Sequence, residues 1–238
     1  MSLRRLTLAL DSLPRLREAT GSPDLDVAAA ATLAELAGAD AIRLGVGEEL
    51  RPVREVDVRQ ARRSARELEL RMPPSQTLLK VALEARPERV LLAAEARDGR
   101  QPSSPLDLRA RGLPLGPVVR ALSEAGIVVW ALIAPDMEAV KVAHAEGVRG
   151  VELFTGALVD LPAAERQAQI EKLADAQSLA AKLRLAIGLG GGLGFRVLRE
   201  LLEAAPAVER VAIGRAAIAR ALLVGIDRSV RDLRSLLA

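Results

Sequence analysis

The feature that most constrains the fold is a repeated unit, in which a short apolar run of β-type residues is followed by a stretch with helical spacing. Eight such runs occur in the 238 residues, at 5–11, 39–46, 68–72, 89–95, 126–134, 149–155, 183–189 and 209–215. Most of them are continuously apolar, which is typical of parallel strands that are covered on both faces. The pattern predicts an α/β fold, a single (β/α)8 TIM barrel over residues 1–238, with an open doubly wound sheet as the alternative.

The stretches between these runs have the spacing and the end signals of helices. Residues 24–39 begin near Asp24 or Asp26 and end at Gly38, and residues 135–148 begin with Pro135 and Asp136 and end near Gly147. Short acidic side chains favour helix starts and glycine favours helix ends. Residues 165–183 are predicted to form a longer helix of the same kind.

One long irregular segment, residues 96–117, follows the fourth apolar run. A loop of this length at the catalytic end of a barrel is a candidate lid, and a disordered excursion is the alternative.

Composition excludes several classes of function. The chain has no cysteine, which rules out disulfides, thiolate zinc sites and a cysteine nucleophile and favours the cytoplasm. Its net charge is only +3, acidic residues are interleaved with the arginines, and the aromatic residues are one Trp and two Phe. We therefore expect no binding to nucleic acid. No apolar run approaches the ~20 residues of a membrane span, and we see no signal peptide, so no membrane association is expected.

The sequence LRLAIGLGGGLGFRVL (183–198) passes from the seventh apolar run through five glycines into a predicted helix. Such a loop is either a tight turn or a cradle in which backbone N–H groups and a helix N-terminus hold a phosphate. In TIM barrels phosphate often binds the loops after strands 7 and 8, which favours the cradle. We predict one anion site formed by Gly188, Gly190, Gly191, Gly192, Gly214 and Arg215.

Much of the chain resembles the pyridoxine 5′-phosphate synthases. The similarity is clearest at 33–44, 55–63, 121–133, 151–160 and 213–226 and covers nearly the whole chain. The resemblance implies a barrel with added helices that assembles into homo-oligomers. It also implies a phosphorylated small-molecule ligand, because the family condenses 1-deoxy-D-xylulose 5-phosphate with 3-amino-2-oxopropyl phosphate without a metal. We expect no metal and no cofactor.

The resemblance also implies a set of site residues in this chain. The matching positions are Asp11, Arg51, Glu95, Glu152, Thr155 and Gly156. Glu95 and Glu152 are candidates for acid and base, or for structural ion pairs with Arg97 or Arg71. Asp11 could bind a ligand hydroxyl or cap the following turn. Arg51 is a candidate for a second phosphate or an ordinary surface residue.

The histidines of the family are replaced in this chain. Phe154, Leu189 and Arg215 stand where the family has histidine, and the only histidine, His144, lies in a predicted outer helix. Because histidine is the side chain best suited to proton transfer near neutral pH, we predict a divergent site that keeps phosphate binding without the usual condensation. The alternative is a non-catalytic oligomeric scaffold or metabolite-sensing protein, with Leu189 and Phe154 making the pocket mouth apolar.

Overall fold

The computed structural model describes residues 4–95, 104–110, 112–159 and 161–237. Eight parallel strands close into a barrel in the order β1 to β8, with β8 paired to β1. The strands are β1 Arg5–Ala9, β2 Ala41–Gly45, β3 Leu68–Met72, β4 Arg89–Leu92, β5 Val128–Ile133, β6 Gly150–Phe154, β7 Ala186–Gly190 and β8 Arg210–Ile213. The closed barrel confirms the predicted fold class and rules out the open sheet.

Helices surround this barrel. They are α1 Ser12–Thr20, α2 Val27–Leu36, α3 Glu55–Ser64, α4 Gln76–Ala85, α5 Leu115–Glu124, α6 Met137–Ala145, α7 Gly156–Val159, α8 Ala163–Lys182, α9 Leu198–Ala204, α10 Arg215–Val224 and α11 Ile226–Leu237. The carboxylate of Asp26 accepts from two N–H groups of α2, and that of Asp136 accepts from the N–H of Glu138 in α6. These contacts confirm the helix starts that the sequence predicted. None of the helices in the described ranges is long and apolar enough to cross a membrane.

Successive strand residues alternate between two environments. Leu8, Ile42 and Leu70 are fully buried in the main apolar core between the strands and the helices. Inside the barrel, Leu91 and Trp130 belong to a separate, small apolar cluster. The rest of the interior contains buried charged residues, which are Arg43, Glu69, Arg89, Glu152 and Arg210. The interior therefore contains ion pairs beside a small apolar cluster.

Part of the irregular segment 96–117 lies outside the described residues, namely 96–103 and 111. Ser104 pairs with Ala94 in an isolated antiparallel bridge, and the N–H of the buried Leu106 donates to the carbonyl of Leu132 at 2.8 Å. Residues 115–117 already belong to α5. The choice between a lid and a disordered excursion stays a prediction.

Candidate functional site

A cavity of about 700 Å³ opens at the carboxyl ends of the strands. We call it the mouth cavity. Its wall includes the loop after β7 and the start of α10, and its charged lining residues are Asp11, Arg15, Arg43, Arg71, Arg196 and Arg215. Five of these six residues are arginines, so the cavity favours an anionic ligand.

Two glycines of the loop after β7 line the mouth cavity. Gly191 and Gly192 have φ values of +74° and +111°, a region that L side chains rarely adopt. A Cβ atom on Gly192 would lie 2.9 Å from the Cα of Gly156 and 4.0 Å from Nη2 of Arg215. The loops after β6 and β7 and the first residue of α10 therefore meet at one point of the cavity wall.

Gly214 completes this part of the wall. It precedes α10 directly, and a Cβ atom there would lie 2.9 Å from the Cβ of Ala9 in β1. The absence of a side chain lets the start of α10 approach the end of β1. The structure thus places Gly191, Gly192, Gly214 and Arg215 around the same cavity.

The other two predicted glycines lie elsewhere. Gly188 and Gly190 belong to strand β7 and face the barrel interior instead of the loop. A Cβ atom on Gly188 would lie 2.9 Å from Cζ3 of Trp130, and one on Gly190 would overlap the carboxylate of Glu152. These two glycines make room for buried side chains inside the barrel. The proposed anion site therefore does not include them.

Thr155 and Gly156 have structural positions beside the cavity. The Thr155 side chain is fully buried, and its N–H and hydroxyl both donate to the carbonyl of Gly190, at 2.8 and 2.9 Å. Thr155 therefore fixes the end of β6 against the end of β7. Gly156 begins α7 next to Gly192, where a larger residue would collide with the ring of Phe154.

Asp11 lies at the boundary between the mouth cavity and a smaller one. Its carboxylate accepts from the N–H of Gly45 and lies 3.1 Å from Nη1 of Arg71. It makes no side-chain cap to α1, so the turn-cap alternative is wrong. Asp11, and not Glu95 or Glu152, is thus the carboxylate paired with Arg71, and both side chains keep about a fifth of their surface exposed.

Glu152 forms a buried ion pair, but with a residue that the sequence did not indicate. Nη1 of Arg43 donates to Glu152 at 2.9 Å, its Nη2 donates to the other carboxylate oxygen, and its Nε donates to Glu69. Burial opposes the charge of Arg43, yet the two carboxylates raise its pKa above the ordinary value. Burial likewise opposes ionisation of Glu69, and Arg43 and Arg89 nevertheless lower its pKa. Arg43 and Glu69 are therefore both charged at neutral pH.

Glu95 and Arg51 line the smaller cavity, of about 90 Å³, next to Asp11 and Arg71. Glu95 is exposed, and its carboxylate accepts from the N–H of Glu48 at 3.0 Å. Arg51 is exposed as well. Arg97, the other predicted partner of the carboxylates, lies outside the described residues.

The residues at the positions where the family resemblance implies histidine have different surroundings. Leu189 is fully buried and belongs to the core that faces the helices, so it does not make the mouth apolar. Phe154 is half-buried and packs over Gly156 and Gly191. His144 is exposed on α6 in the outer ring. Among the described residues, no group of three or more His, Cys, Asp or Glu could hold a metal ion.

Three charged residues that line the mouth cavity were not predicted from the sequence: Arg15, Arg43 and Arg196. Arg43 had a signal, because it is a charged residue between Ile42 and Leu44 in an otherwise apolar run. Arg15 and Arg196 lie among other charged surface positions, and nothing in their local sequence marks them.

The sequence comparisons identify the family. The model of the family described as Pyridoxal phosphate biosynthesis protein PdxJ matches residues 6–238. The chain belongs to this family. The pyridoxine 5′-phosphate synthase of Pelobacter propionicus is 32% identical to it over 237 residues, which cover 99% of each chain. That of Synechococcus sp. is 36% identical over 231 residues, 96% of each chain. The resemblance that the sequence motifs indicated is confirmed.

Solved structures with low sequence identity share the fold of this PdxJ-family chain. A 3-hexulose-6-phosphate synthase aligns with a TM-score of 0.65 at 15% identity, covering 98% of this chain and 100% of the other. A thiamine phosphate pyrophosphorylase from Pyrococcus furiosus aligns with a TM-score of 0.62 at 15% identity, covering 98% and 95%. At this identity the likeness describes the barrel alone.

Proposed function

We propose that this PdxJ-family barrel binds a phosphorylated small molecule in the mouth cavity, with the phosphate on the loops after β7 and β8. The main support is the convergence of Gly191, Gly192, Gly214 and Arg215 on one cavity. The N-terminus of the ten-residue helix α10 points its free N–H groups and the positive end of its dipole toward this place.

Arg215 supplies the permanent charge of the proposed site. A guanidinium group carries a permanent positive charge in proteins and matches the geometry of a phosphate through paired N–H groups. A histidine at this position would lose its charge near neutral pH. The replacement therefore favours phosphate binding over proton transfer.

The remaining polar groups fit the other end of a phosphosugar. Asp11 and Glu95 offer carboxylate oxygens to ligand hydroxyls, and Arg71, which contacts Asp11, lines both cavities. Arg51 lines the same smaller cavity and is the proposed contact for a second phosphate. The proposed ligand is a phosphorylated, hydroxylated molecule such as 1-deoxy-D-xylulose 5-phosphate, which the family resemblance implies.

We propose that the ordinary condensation is lost in this chain. Imine formation and ring closure need groups that take up and release protons near neutral pH. Glu152 is held in an ion pair by Arg43, and His144 is remote on the outer ring. The pairing of Glu152 favours the second candidate function, a metabolite-sensing protein or oligomeric scaffold that binds without turnover.

A condensation assay tests this part of the proposal. With 1-deoxy-D-xylulose 5-phosphate and 3-amino-2-oxopropyl phosphate, we expect no pyridoxine 5′-phosphate above the protein-free control. The proposed loss of condensation would be contradicted if the parent chain forms product and a Glu95→Gln variant does not. That result would show that the carboxylates suffice for catalysis.

Removal of Arg215 should weaken phosphosugar binding. Because a hydrogen bond to a charged group contributes about 1.5–3 kcal/mol, Arg215→Ala should raise the Kd roughly ten- to hundredfold. Calorimetric titration with 1-deoxy-D-xylulose 5-phosphate measures the effect, and Arg120→Ala, on the exposed side of α5, is the control. The proposed anion site is contradicted if Arg215→Ala and the parent chain bind with equal affinity, or if neither binds. The glycine loop would then be only a tight turn.

A further inference from the structure

A third cavity, of about 590 Å³, lies at the opposite end of the barrel, at the amino-terminal ends of the strands. We call it the lower cavity. Its charged lining residues are Arg5, Arg89, Arg149, Arg184, Arg210 and Glu209. Five arginines against one glutamate are a strongly basic lining, and none of these residues takes part in the proposed function of the mouth.

The inner arginines of the lower cavity are incompletely neutralised. Glu67 alone accepts from Arg5, Arg89 and Arg210, with distances of 2.8 Å to Arg89 and 2.9 Å to Arg210. Glu69, at 3.3 Å from Arg89, is already bonded to Arg43. Three carboxylates, those of Glu67, Glu69 and Glu152, therefore serve four guanidinium groups, those of Arg5, Arg43, Arg89 and Arg210.

Two further observations indicate unsatisfied positive charge at this place. The Nε atom of Arg89 is buried and has no hydrogen-bond partner among the described residues. Burial and the positive charge of Arg89 together lower the pKa of Arg210. An anion beside these two side chains would relieve both conditions.

The rim of the lower cavity adds two exposed arginines. Arg149 precedes β6 and Arg184 precedes β7, and the two backbones are joined because the N–H of Ala186 donates to the carbonyl of Arg149 at 3.1 Å. Neither guanidinium forms an ion pair with a residue in the described ranges. Arg184 is held at a φ of +58°, a conformation that is uncommon for a residue with a side chain. Arg149 and Arg184 thus join Arg89 and Arg210 in the lining of the lower cavity.

We propose that the lower cavity is a second anion site, which binds a compact phosphate or pyrophosphate group between the rim arginines and the inner pair. Guanidinium groups that line one cavity suit a ligand with at least two negative charges, because each arginine can donate two parallel N–H bonds to phosphate oxygens. The site is independent of the mouth, since the mouth cavity and the lower cavity share no lining residue.

Trp130 provides a reporter for this site. It is the only tryptophan of the chain and lines the lower cavity, and the guanidinium carbon of Arg89 lies 5.1 Å from its ring centroid. An anion that binds Arg89 changes the electrostatic environment of the indole ring. Pyrophosphate binding should therefore produce a saturable change in tryptophan fluorescence.

The test is a fluorescence titration with pyrophosphate, and a parallel one with inorganic phosphate, on the intact chain. The signal should persist in Arg215→Ala, which weakens only the mouth. In the double variant Arg149→Gln/Arg184→Gln we expect the Kd for pyrophosphate to rise at least tenfold. The matched double variant Arg120→Gln/Arg199→Gln removes two exposed arginines elsewhere and should bind as the parent does.

Three outcomes would overturn the proposal. The first is the absence of a saturable signal, and the second is its loss in Arg215→Ala, which would place the anion in the mouth. The third is an unchanged Kd in the rim variant together with a lower melting temperature. That result would show that Arg149 and Arg184 only offset the negative ends of nearby helix dipoles.

Discussion

Replacing Arg43 with methionine should lower the free energy of unfolding by about 3–5 kcal/mol, the cost of breaking a buried ion pair from one side. The Arg43 side chain is 4% exposed, and those of Glu69 and Glu152 are 0% and 1% exposed. Methionine fills a similar length but leaves the Glu152 carboxylate inside the barrel without a cation. Urea unfolding of the variant and the parent chain at neutral pH measures the difference.

The matched control is Arg59→Met, which removes an exposed arginine paired with Glu55 one helical turn away. Such surface pairs contribute less than about 1 kcal/mol, so this variant should unfold almost as the parent does. A loss below 1 kcal/mol for Arg43→Met would contradict the assignment of the interior ion pairs.

The pH dependence of the Arg43 variant follows from the same contacts. In the parent chain the pKa of Glu69 lies below its ordinary value, so its stabilising effect is present above that value and is lost as the pH falls through the folded-state pKa. In Arg43→Met the buried carboxylate of Glu69 loses this partner, and it lowers the free energy of unfolding most when it is ionised. We therefore expect the deficit relative to the parent to be largest at neutral pH and to shrink as the solution becomes acidic.

Replacing Gly190 with alanine should destabilise the protein by about 3 kcal/mol, at the upper end of the range for overpacked cores. The new methyl group would lie 2.6 Å from Cδ of Glu152 and 3.2 Å from the Cβ of Ala212. Glu152 cannot move aside cheaply, because Arg43 bonds both of its carboxylate oxygens. The melting temperature and the urea midpoint should both fall.

Gly194→Ala is the matched control for Gly190→Ala. Its Cβ would lie 3.5 Å from that of Ala216, an ordinary contact, and its φ is not in the left-handed region. The free energy of unfolding of this variant should stay within about 1 kcal/mol of that of the parent. A small gain is expected, because alanine lowers the conformational entropy of the unfolded chain. Equal stability of the Gly190 and Gly194 variants would contradict the close packing of β7 on Glu152.

The fold could be predicted from the sequence because its signals are local. Continuous apolar runs located the eight strands, and residues such as Asp26 and Asp136 marked helix starts through contacts with their own neighbours. Most strands were predicted a few residues too long, since an apolar run does not stop where the β-ladder stops. The exceptions are β3, which has its predicted bounds, and β7, which ends one residue beyond its predicted run. The family assignment followed from motifs spread over the whole chain.

The site was harder to predict because it depends on which way each strand residue faces. Gly188 and Gly190 belong to the same run as Gly191 and Gly192, and only the register of β7 turns the first two toward Trp130 and Glu152. The same alternation buries Leu189 under the helices. The partner of Glu152 comes from β2, a distance of 109 residues along the chain, which no local pattern reveals.

A crystal structure of the chain with 1-deoxy-D-xylulose 5-phosphate tests the central claim most directly, because it locates the phosphate itself. We expect the phosphate within about 3 Å of the Gly192 N–H and the Arg215 guanidinium, with the sugar end directed toward Asp11 and Arg71. A phosphate bound elsewhere at full occupancy, with the loops after β7 and β8 empty, would contradict it.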